Sequence, residues 1–597
     1  MNVLVVGSGG REHALAWRLA DSESVSYVAV SPGNAGIDRD PRLRCLPEPI
    51  TVSLLQDHQI DLVVIGPEAH LVAGLADELR AAGVDVVGPS AAAARLEGSK
   101  AFAKQFMNDN GIPTAEHRVC HTLQEARTAV AEFGAPVVIK ADGLAAGKGV
   151  SVCDSETQAQ AAIETIMKER LFGDAGEMVV VERRLEGFEA SVIVALDETG
   201  HIVFPTAQDH KQIGEGGVGA NTGGMGAVAP NPAITPALWH RIDAEVVQPS
   251  VAALQRTDWT FRGFLFIGLM IDGDVPRVLE YNVRFGDPEA QAILPLVGGD
   301  FGLLMQGLSQ GRLTEAVGES GFSVKPGASC TVVAAAGGYP GPYSKGTKIE
   351  LTVLPEPSDL TGTTHIFTAG VAAAAGHSAG AAGAGRLPDG ASSASTPGAT
   401  PETGPGATGS RPEAGPLAEL VTAGGRVLAV GGVGDTLEQA RRRAYGRLQL
   451  VHFDGMRIRR DIGGAPILSS VIEESDVLML QTRKRGGLVP VVVQERAGGD
   501  VLMVGYANER ALRETQRSGY ATFWSTSRNT LWTKGETSGD RLHVEEIRID
   551  CDQDAILYIV TMEGYGVCHT RTTEGRARRR CFYRRLQEDG TLTNDEG

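Results

Sequence analysis

The chain opens on an apolar run, Val3–Val6, that ends in Gly7-Ser-Gly-Gly10 and passes directly into a helical pattern from about Arg11. A strand that feeds a helix rejoins its own sheet as a parallel neighbour, through a crossover. Val25–Val30, Asp61–Ile65 and Val84–Val87 repeat the strand pattern with helical stretches between them. Residues 1–100 are therefore predicted to form a parallel α/β domain. The first glycine loop can turn backbone N–H groups toward a phosphate. It is not a full dinucleotide fingerprint: Glu12 stands where the third glycine belongs, and Val30-Ser-Pro-Gly-Asn34 offers no acid for a ribose hydroxyl. A small phosphorylated substrate suits this loop better than NAD.

The pattern then changes. Residues 101–326 read as mixed α+β, with strands at Val137–Lys140, Val150–Cys153, Met178–Glu182, Ala190–Leu196 and Val278–Glu280. Glycine-rich loops lie at 143–149 and 214–226. A smaller β-rich unit follows over 327–460, interrupted at 372–415 by a segment of mostly Ala, Gly, Ser, Thr and Pro. That segment lacks the large apolar side chains needed to offset ordering entropy, so a disordered insertion is expected. A linker over 461–476 leads to a compact unit over 477–597 with five further strand patterns. Four units agree with about 150 residues per domain in a chain of 597.

The net charge of −18, from 73 acids against 55 Lys and Arg, disfavours nucleic acid or an anionic membrane as a general partner. It leaves small phosphorylated substrates open. Seven cysteines in so long a chain argue against a disulfide scaffold and for a reducing compartment. With no leader pattern at Met1 and no long apolar span, a cytoplasmic location is expected.

Lys140-Ala-Asp-Gly-Leu-Ala-Ala-Gly-Lys-Gly149 joins the end of a buried strand to a glycine loop with a second lysine. Such a loop can cover ATP phosphates and exclude water. Glu280 and Asn282 alternate onto one strand face, where hard oxygen ligands suit Mg²⁺. Asp209, in Gln208-Asp-His-Lys211, could hold a substrate ammonium, and Lys211 and Arg284 a carboxylate or phosphate. Asn221-Thr-Gly-Gly-Met-Gly226 allows close backbone approach to a ligand.

These stretches, with Gly7–His13, Glu97-Gly-Ser-Lys-Ala-Phe102 and Gly337-Gly-Tyr-Pro-Gly341, make residues 1–460 resemble the phosphoribosylamine–glycine ligases, ATP-grasp enzymes of purine synthesis. The resemblance implies a substrate domain, a grasp body with a lid at about 122–192, and a C-terminal domain. It also implies the chemistry: ATP phosphorylates glycine, and the amine of 5-phosphoribosylamine attacks the acyl phosphate. Carried onto this sequence, Lys100, Lys140, Gly147, Lys148 and Gly149 would contact ATP, and Glu182 and Glu189 would sit around the adenosine. Glu280 and Asn282 would bind Mg²⁺ or Mn²⁺. Asp209, Lys211 and Arg284 would handle glycine and the acyl phosphate, with Asn221, Thr222, Gly223, Gly224 and Asp287 lining the substrate site. Gly9, Gly10, Arg11, Glu12, Gly66, Pro67 and Glu68 would face phosphoribosylamine. Two departures stand out: Gln212 where a basic residue is expected, and the pair Arg183-Arg184 where acids or aromatics are more usual. An ATP-grasp ligase for another carboxylate or amine is the rival reading.

A second constellation lies near the C-terminus. Asp550, Asp552 and Asp554 alternate, and on an extended chain would share one face with Cys551 on the other. Three clustered acids suit Mg²⁺. Cys551, Cys568 and Cys581 could bind Zn²⁺ and leave a fourth position for water, which zinc acidifies to a pKa near ~7. His569 is a candidate base. With Gly487–Gln494, Phe523-Trp-Ser525, Leu531–Gly539 and Gly566-Val-Cys-His-Thr570, residues 477–585 resemble the phosphoribosyl-AMP cyclohydrolases of histidine synthesis. The resemblance implies zinc-dependent opening of the purine six-membered ring, a homodimer sharing metal ligands between subunits, and substrate contacts from Lys534, Glu536 and Ser538. Twelve residues separate Cys568 from Cys581, a longer spacer than the family's. A non-catalytic, zinc-stabilised dimerisation module is the alternative for this unit.

Overall fold

The computed structural model describes residues 1–145, 149–351, 364–374, 419–465, 480 and 487–595. The N-terminal sheet is parallel and runs Leu43–Cys45, Tyr27–Pro32, Asn2–Gly7, Leu62–Ile65, Asp85–Val87. The strand Leu43–Cys45 carries too short a pattern to be read from sequence. Val3, Leu4, Val5 and Val6 are all fully buried, as a strand covered on both faces requires. Strand order reverses between Asn2–Gly7 and Leu62–Ile65, and ligands of open α/β sheets bind beyond the carboxyl ends at such a switch point. Gly7 and Gly66 stand at those two ends.

Two antiparallel sheets follow. The smaller joins His117–Cys120, Val179–Arg183, Val137–Ala141 and Val150–Cys153. The larger joins His201–Val203, Phe188–Leu196, Gly263–Asp272 and Val275–Asn282. The smaller sheet thus begins at His117, and Phe188–Leu196, whose first five residues fall within the expected lid, belongs to the other sheet. Gly263–Asp272 is buried at nearly every position and so shows no alternation. It packs a core with Phe204, Phe264 and Phe285, whose rings lie 4.3–6.1 Å apart.

A five-stranded sheet runs Gln208–Asp209, Gly226–Ala229, Ala328–Ala335, Arg426–Gly434, Thr364–Thr368, backed by the helix Leu437–Leu448. The chain after residue 327 thereby joins the same sheet as Asp209, through the intervening strand Gly226–Ala229. Val371–Ala373 pairs with Leu420–Thr422, so regular structure persists past residue 372, where the insertion was expected to start. Residues 375–418, most of that expectation, lie outside the described residues, as do 466–479 of the linker region.

The last unit has its own core around Val491, Val493, Phe523, Tyr558 and Val560. Its sheet runs Val501–Ala507, Val489–Glu495, Ile556–Glu563, Arg541–Ile549, with the central pair parallel. Val489–Glu495 alternates buried and half-buried residues, the period-two signature of a strand with one face on the core. Among the described residues no helix is long and apolar enough to cross a membrane.

Candidate active sites

The first site lies where the two antiparallel sheets and the N-terminal domain meet. Glu182, on the smaller sheet, forms ion pairs with Lys140 at 2.9 Å and Lys104 at 3.1 Å, all three nearly inaccessible to water. Lys140 also donates to the Leu279 carbonyl of the larger sheet at 3.1 Å, which ties the sheets together. Burial pushes the Lys104 ammonium down to about 8, against the pull of Glu182. Lys104 was not foreseen. It lies one helical turn beyond Lys100 on Lys100–Asp109, and that i,i+4 spacing was the available signal. Lys100 donates to the Gly143 carbonyl at 2.9 Å, and Asp142 accepts from the Ala101 N–H at 2.8 Å, fixing the helix start to the glycine loop. Gly147 and Lys148 lie outside the described residues. Gly149 closes the loop by accepting from the Ala141 N–H at 2.8 Å.

Across this cleft, Lys211 pairs with Glu189 at 2.9 Å and approaches Glu280 at 3.9 Å. Burial favours the neutral Glu280 carboxyl, but Lys211, Lys140 and Lys100 outweigh it and hold the group below its ordinary range. Asn282 Oδ1 accepts from Arg284 at 3.4 Å. Arg284 pairs with Glu97 at 2.7 Å and Glu68 at 3.3 Å. Asp209 Oδ1 is buried without a hydrogen-bond partner among the described residues. Burial and the nearby Glu289 push its carboxyl well above the usual range. Gly224 presses on it: a Cβ there would lie 2.6 Å from Asp209 Oδ1 and 2.3 Å from Pro288. Thr222 donates to the Lys211 carbonyl at 2.7 Å, Asn221 accepts from Gln212 at 3.2 Å, and Gly223 donates to the Tyr339 hydroxyl at 3.1 Å. Asp287 pairs with Arg426 at 3.0 Å, and Arg426 also donates to the Gly223 carbonyl. Arg426 was likewise missed, because it arrives from the C-terminal sheet with no motif around it.

At the switch point the glycine loop differs from the open phosphate cradle its spacing suggested. Glu12 folds back, accepts from the Gly9 N–H at 2.7 Å, and pairs with Arg11 at 2.6 Å. A Cβ on Gly7 or Gly66 would collide with the Glu12 side chain. The carboxylate that replaces the third glycine thus packs against both strand-end glycines and takes up the Gly9 N–H. Arg11 lies 4.0 Å from Glu68, and Gly10 packs on Gln291. Pro67 is the cap before the helix Glu68–Val72. The Arg183-Arg184 departure is accounted for by surface pairing, with Glu116 at 2.6 Å and Asp154 at 2.5 Å.

Residues 1–97, 98–290 and 405–465 match the models of the N domain, the ATP-grasp domain and the C domain of phosphoribosylglycinamide synthetase. The chain belongs to the phosphoribosylglycinamide synthetase family. It is an ATP-grasp carbon–nitrogen ligase. Phosphoribosylamine–glycine ligases of Vibrio cholerae and Chlorobaculum tepidum are 40% and 41% identical over 469 and 471 residues, 78% of this chain and 98% and 99% of theirs. The crystal structure of a phosphoribosylamine–glycine ligase from Thermotoga maritima aligns with TM-score 0.59 and 32% identity, over 78% of this chain and all of that one. A biotin carboxylase domain of Hydrogenobacter thermophilus, solved with magnesium ADP, shares the fold at TM-score 0.54 and 15% identity, over 76% of this chain and 91% of that one. Residues 503–583 match the phosphoribosyl-AMP cyclohydrolase model, so this ligase carries a cyclohydrolase-family domain.

In that domain Asp550, Asp552 and Asp554 bring their carboxylates within 4.8 Å of one another. They do so on a turn, with Gln553 at φ 55°, and not by alternation along an extended strand as the spacing suggested. This is the one cluster of three potential metal ligands among the described residues. Cys568 and Cys581 lie within hydrogen-bonding reach of each other, near Lys534. Burial opposes ionisation of Cys568, but Thr570 and Cys581 hydrogen-bond to its sulfur and hold it below a normal thiol; burial and the Cys568 charge push Cys581 up to about 11. The long spacer folds as a hairpin. Thr572 donates to Arg576 and receives Gly575, while Val567 and Cys568 donate to Arg579 and Arg578 at 3.2 and 3.1 Å. The additional residues therefore project outward and return Cys581 to Cys568. Cys551 is exposed and joins neither thiol in a three-ligand cluster. His569, Glu536 and Ser538 are exposed, and Lys534 is half-buried.

Proposed function

We propose that the chain is bifunctional, joining glycine to 5-phosphoribosylamine and opening the purine ring of phosphoribosyl-AMP. Asp209 carries the first reading: a carboxyl group with a buried, unsatisfied oxygen, which like Glu280 neighbours Lys211, suits a small ammonium-bearing acid. The clash built in at Gly224 leaves little space around it, which favours glycine. Lys100, Lys104 and Lys140 would neutralise ATP phosphates, with Lys148 closing over them, and Glu182 stands in as their counter-charge when ATP is absent. Glu189 would lie near the adenosine. Glu280 and Asn282 would hold Mg²⁺, which supplies charge neutralisation on the phosphates. Lys211 and Arg284 would bind the glycine carboxylate, which attacks the γ-phosphorus as ADP leaves. The amine of phosphoribosylamine, held between Arg11, Glu12, Glu68 and Asp287, then attacks the acyl carbon and expels phosphate. Holding the reactants between the sheets would shield the acyl phosphate from water. ADP release that requires both glycine and phosphoribosylamine tests this; equal turnover with other amino acids would refute the substrate assignment.

For the second activity the donor set fits zinc if a second copy contributes Cys551. Cys568 and Cys581 converge within one chain, and Cys551 does not reach them. Exposed Val504, Tyr506, Phe582, Leu586 and Leu592 supply apolar surface for a homodimer. Zinc would supply an activated water, His569 a proton acceptor, and Asp550, Asp552 and Asp554 a Mg²⁺ site, with Lys534, Glu536 and Ser538 at the substrate. Ring opening followed by ultraviolet absorbance tests it. Mixing inactive Cys551→Ser and Cys581→Ser chains should restore roughly a quarter of wild-type activity, because half the dimers carry one intact site. No recovery would place all three thiols in one subunit, or leave the domain a dimerisation module.

A further inference from the structure

The loop that carries Asp209 and Lys211 is held from outside by a short segment, Arg459–Gly463. Arg459 and Asp461 form a bidentate ion pair at 2.8 and 2.7 Å, their side chains only 4% and 10% exposed. From this segment three bonds reach the loop, two of them from the pair. Arg459 donates to the Gln212 carbonyl at 3.1 Å, Asp461 accepts from the Gly216 N–H at 2.7 Å, and the Gly463 N–H donates to His210 Nε2 at 3.2 Å. Arg460 adds a surface pair with Glu215 at 2.6 Å. The segment is itself anchored. The Tyr445 hydroxyl donates to the Arg459 carbonyl at 2.8 Å and accepts from the Ile462 N–H at 3.0 Å, and Arg441 donates to the Ile462 carbonyl at 2.8 Å. Its packing is tight: a Cβ on Gly463 would lie 2.7 Å from Val228, and one on Gly226 2.9 Å from Ile462.

We infer that Arg459 and Asp461 are positioning residues for the ligase, forming a strap that fixes the backbone on both sides of Lys211. Neither side chain is placed among the groups that touch substrate. His210 lies between Asp209 and Lys211, and its ring accepts the strap's N–H, so displacement of the strap is transmitted to both. The strap works beside the loop's own bonds: His210 exchanges backbone bonds with Gly226 and Met225, and Thr222 holds the Lys211 carbonyl, whereas Gln212–Gly214 is paired with Val218–Asn221, whose residues are exposed. The strap also explains how Gln212 is accommodated: its backbone carbonyl, and not its side chain, makes the contact that matters here. The inference rests on the reading of Asp209 and Lys211 as the glycine site.

Asp461→Asn in the full chain keeps the side-chain shape and removes the charge that holds Arg459. The Michaelis constant for glycine should rise ~10-fold while that for ATP stays within about twofold, since a small misplacement of a binding group acts locally. Amide hydrogen exchange over 208–216 should accelerate ~10-fold without substrates, while the core strand Gly263–Asp272 remains protected. Arg459→Gln should reproduce both effects, and it decides the matter if Asp461→Asn does not fold. An unchanged glycine constant in a folded variant, or glycine and ATP constants rising together, would overturn the inference; so would unchanged exchange. A wild-type chain with no glycine-dependent turnover would refute the substrate reading instead, and the exchange measurement would still decide whether the strap holds the loop.

Discussion

Glu182 lies between two buried ammonium groups, and replacing it by Gln tests how the cleft is balanced in the absence of ATP. Its carboxylate is 2.9 Å from Lys140 and 3.1 Å from Lys104, with the Glu182 and Lys104 side chains each 2% exposed. Removing one partner of a buried pair leaves an uncompensated charge and costs about 3–5 kcal/mol. Lys104 is the more vulnerable lysine, because burial has already moved it from 10.5 to about 8. Between those values the folded chain binds fewer protons at Lys104 than the unfolded chain does. Stability from this group therefore rises with pH across that window and is lowest below pH 8. Glu182→Gln depresses Lys104 further, so the deficit should be larger at neutrality than at pH 9.5. Adding Lys104→Met removes the stranded charge, and the double variant should be more stable than Glu182→Gln alone. Urea titration read by hydrogen exchange in Lys100–Asp109 and Val179–Arg183 isolates this region in a chain of several cores. A deficit equal at both pH values, with no rescue in the double variant, would refute the reasoning.

Two further outcomes follow from single groups. Burial, partly opposed by Arg284, raises Glu97 from 4.5 to about 7, so the folded chain holds an additional proton between those values. Stability from this group falls as pH rises through the window, and Glu97→Gln should remove that slope from the ligase unfolding transition. In the cyclohydrolase-family domain the buried Tyr558 hydroxyl donates to Thr515 at 3.1 Å. Tyr558→Phe should destabilise that domain by about 1 kcal/mol in denaturant titration, leaving the ligase cores unaffected.

How much of this was legible in the sequence depends on whether the signal was local. Val3–Val6 and Val489–Glu495 announce themselves because every residue of a strand is contiguous in the chain. Gly263–Asp272 was overlooked although it is strongly apolar, because a run buried on both faces has no period to detect, and no glycine loop marks its end as Gly7–Gly10 marks that of Val3–Val6. The same contrast governs the sites. Lys140, Asp209, Lys211, Glu280 and Arg284 sit in short motifs, whereas Arg426 and Asp461 act through contacts bridging 139 and 245 residues of chain. No periodicity reports such a pairing. Glu12 shows the opposite failure: the departure from the glycine pattern was visible, but its meaning needed the side chain folded over Gly7 and Gly66.

The spacer between Cys568 and Cys581 brings these arguments together. By count alone, twelve intervening residues could carry the second thiol away from the first. An insertion disturbs its flanks only if the ends of the inserted segment cannot meet, and antiparallel pairing brings ends together whatever the length between them. Here Arg571 bridges Ala577, and the bonds from Val567 and Cys568 to Arg579 and Arg578 continue that pairing back to the thiols. Cys581 is then fixed independently, its N–H donating to Leu502 at 2.7 Å on the neighbouring strand. The extra length is therefore absorbed in the exposed tip around Thr573–Arg576, and the geometry of the thiol pair is set by the sheet and not by the spacer.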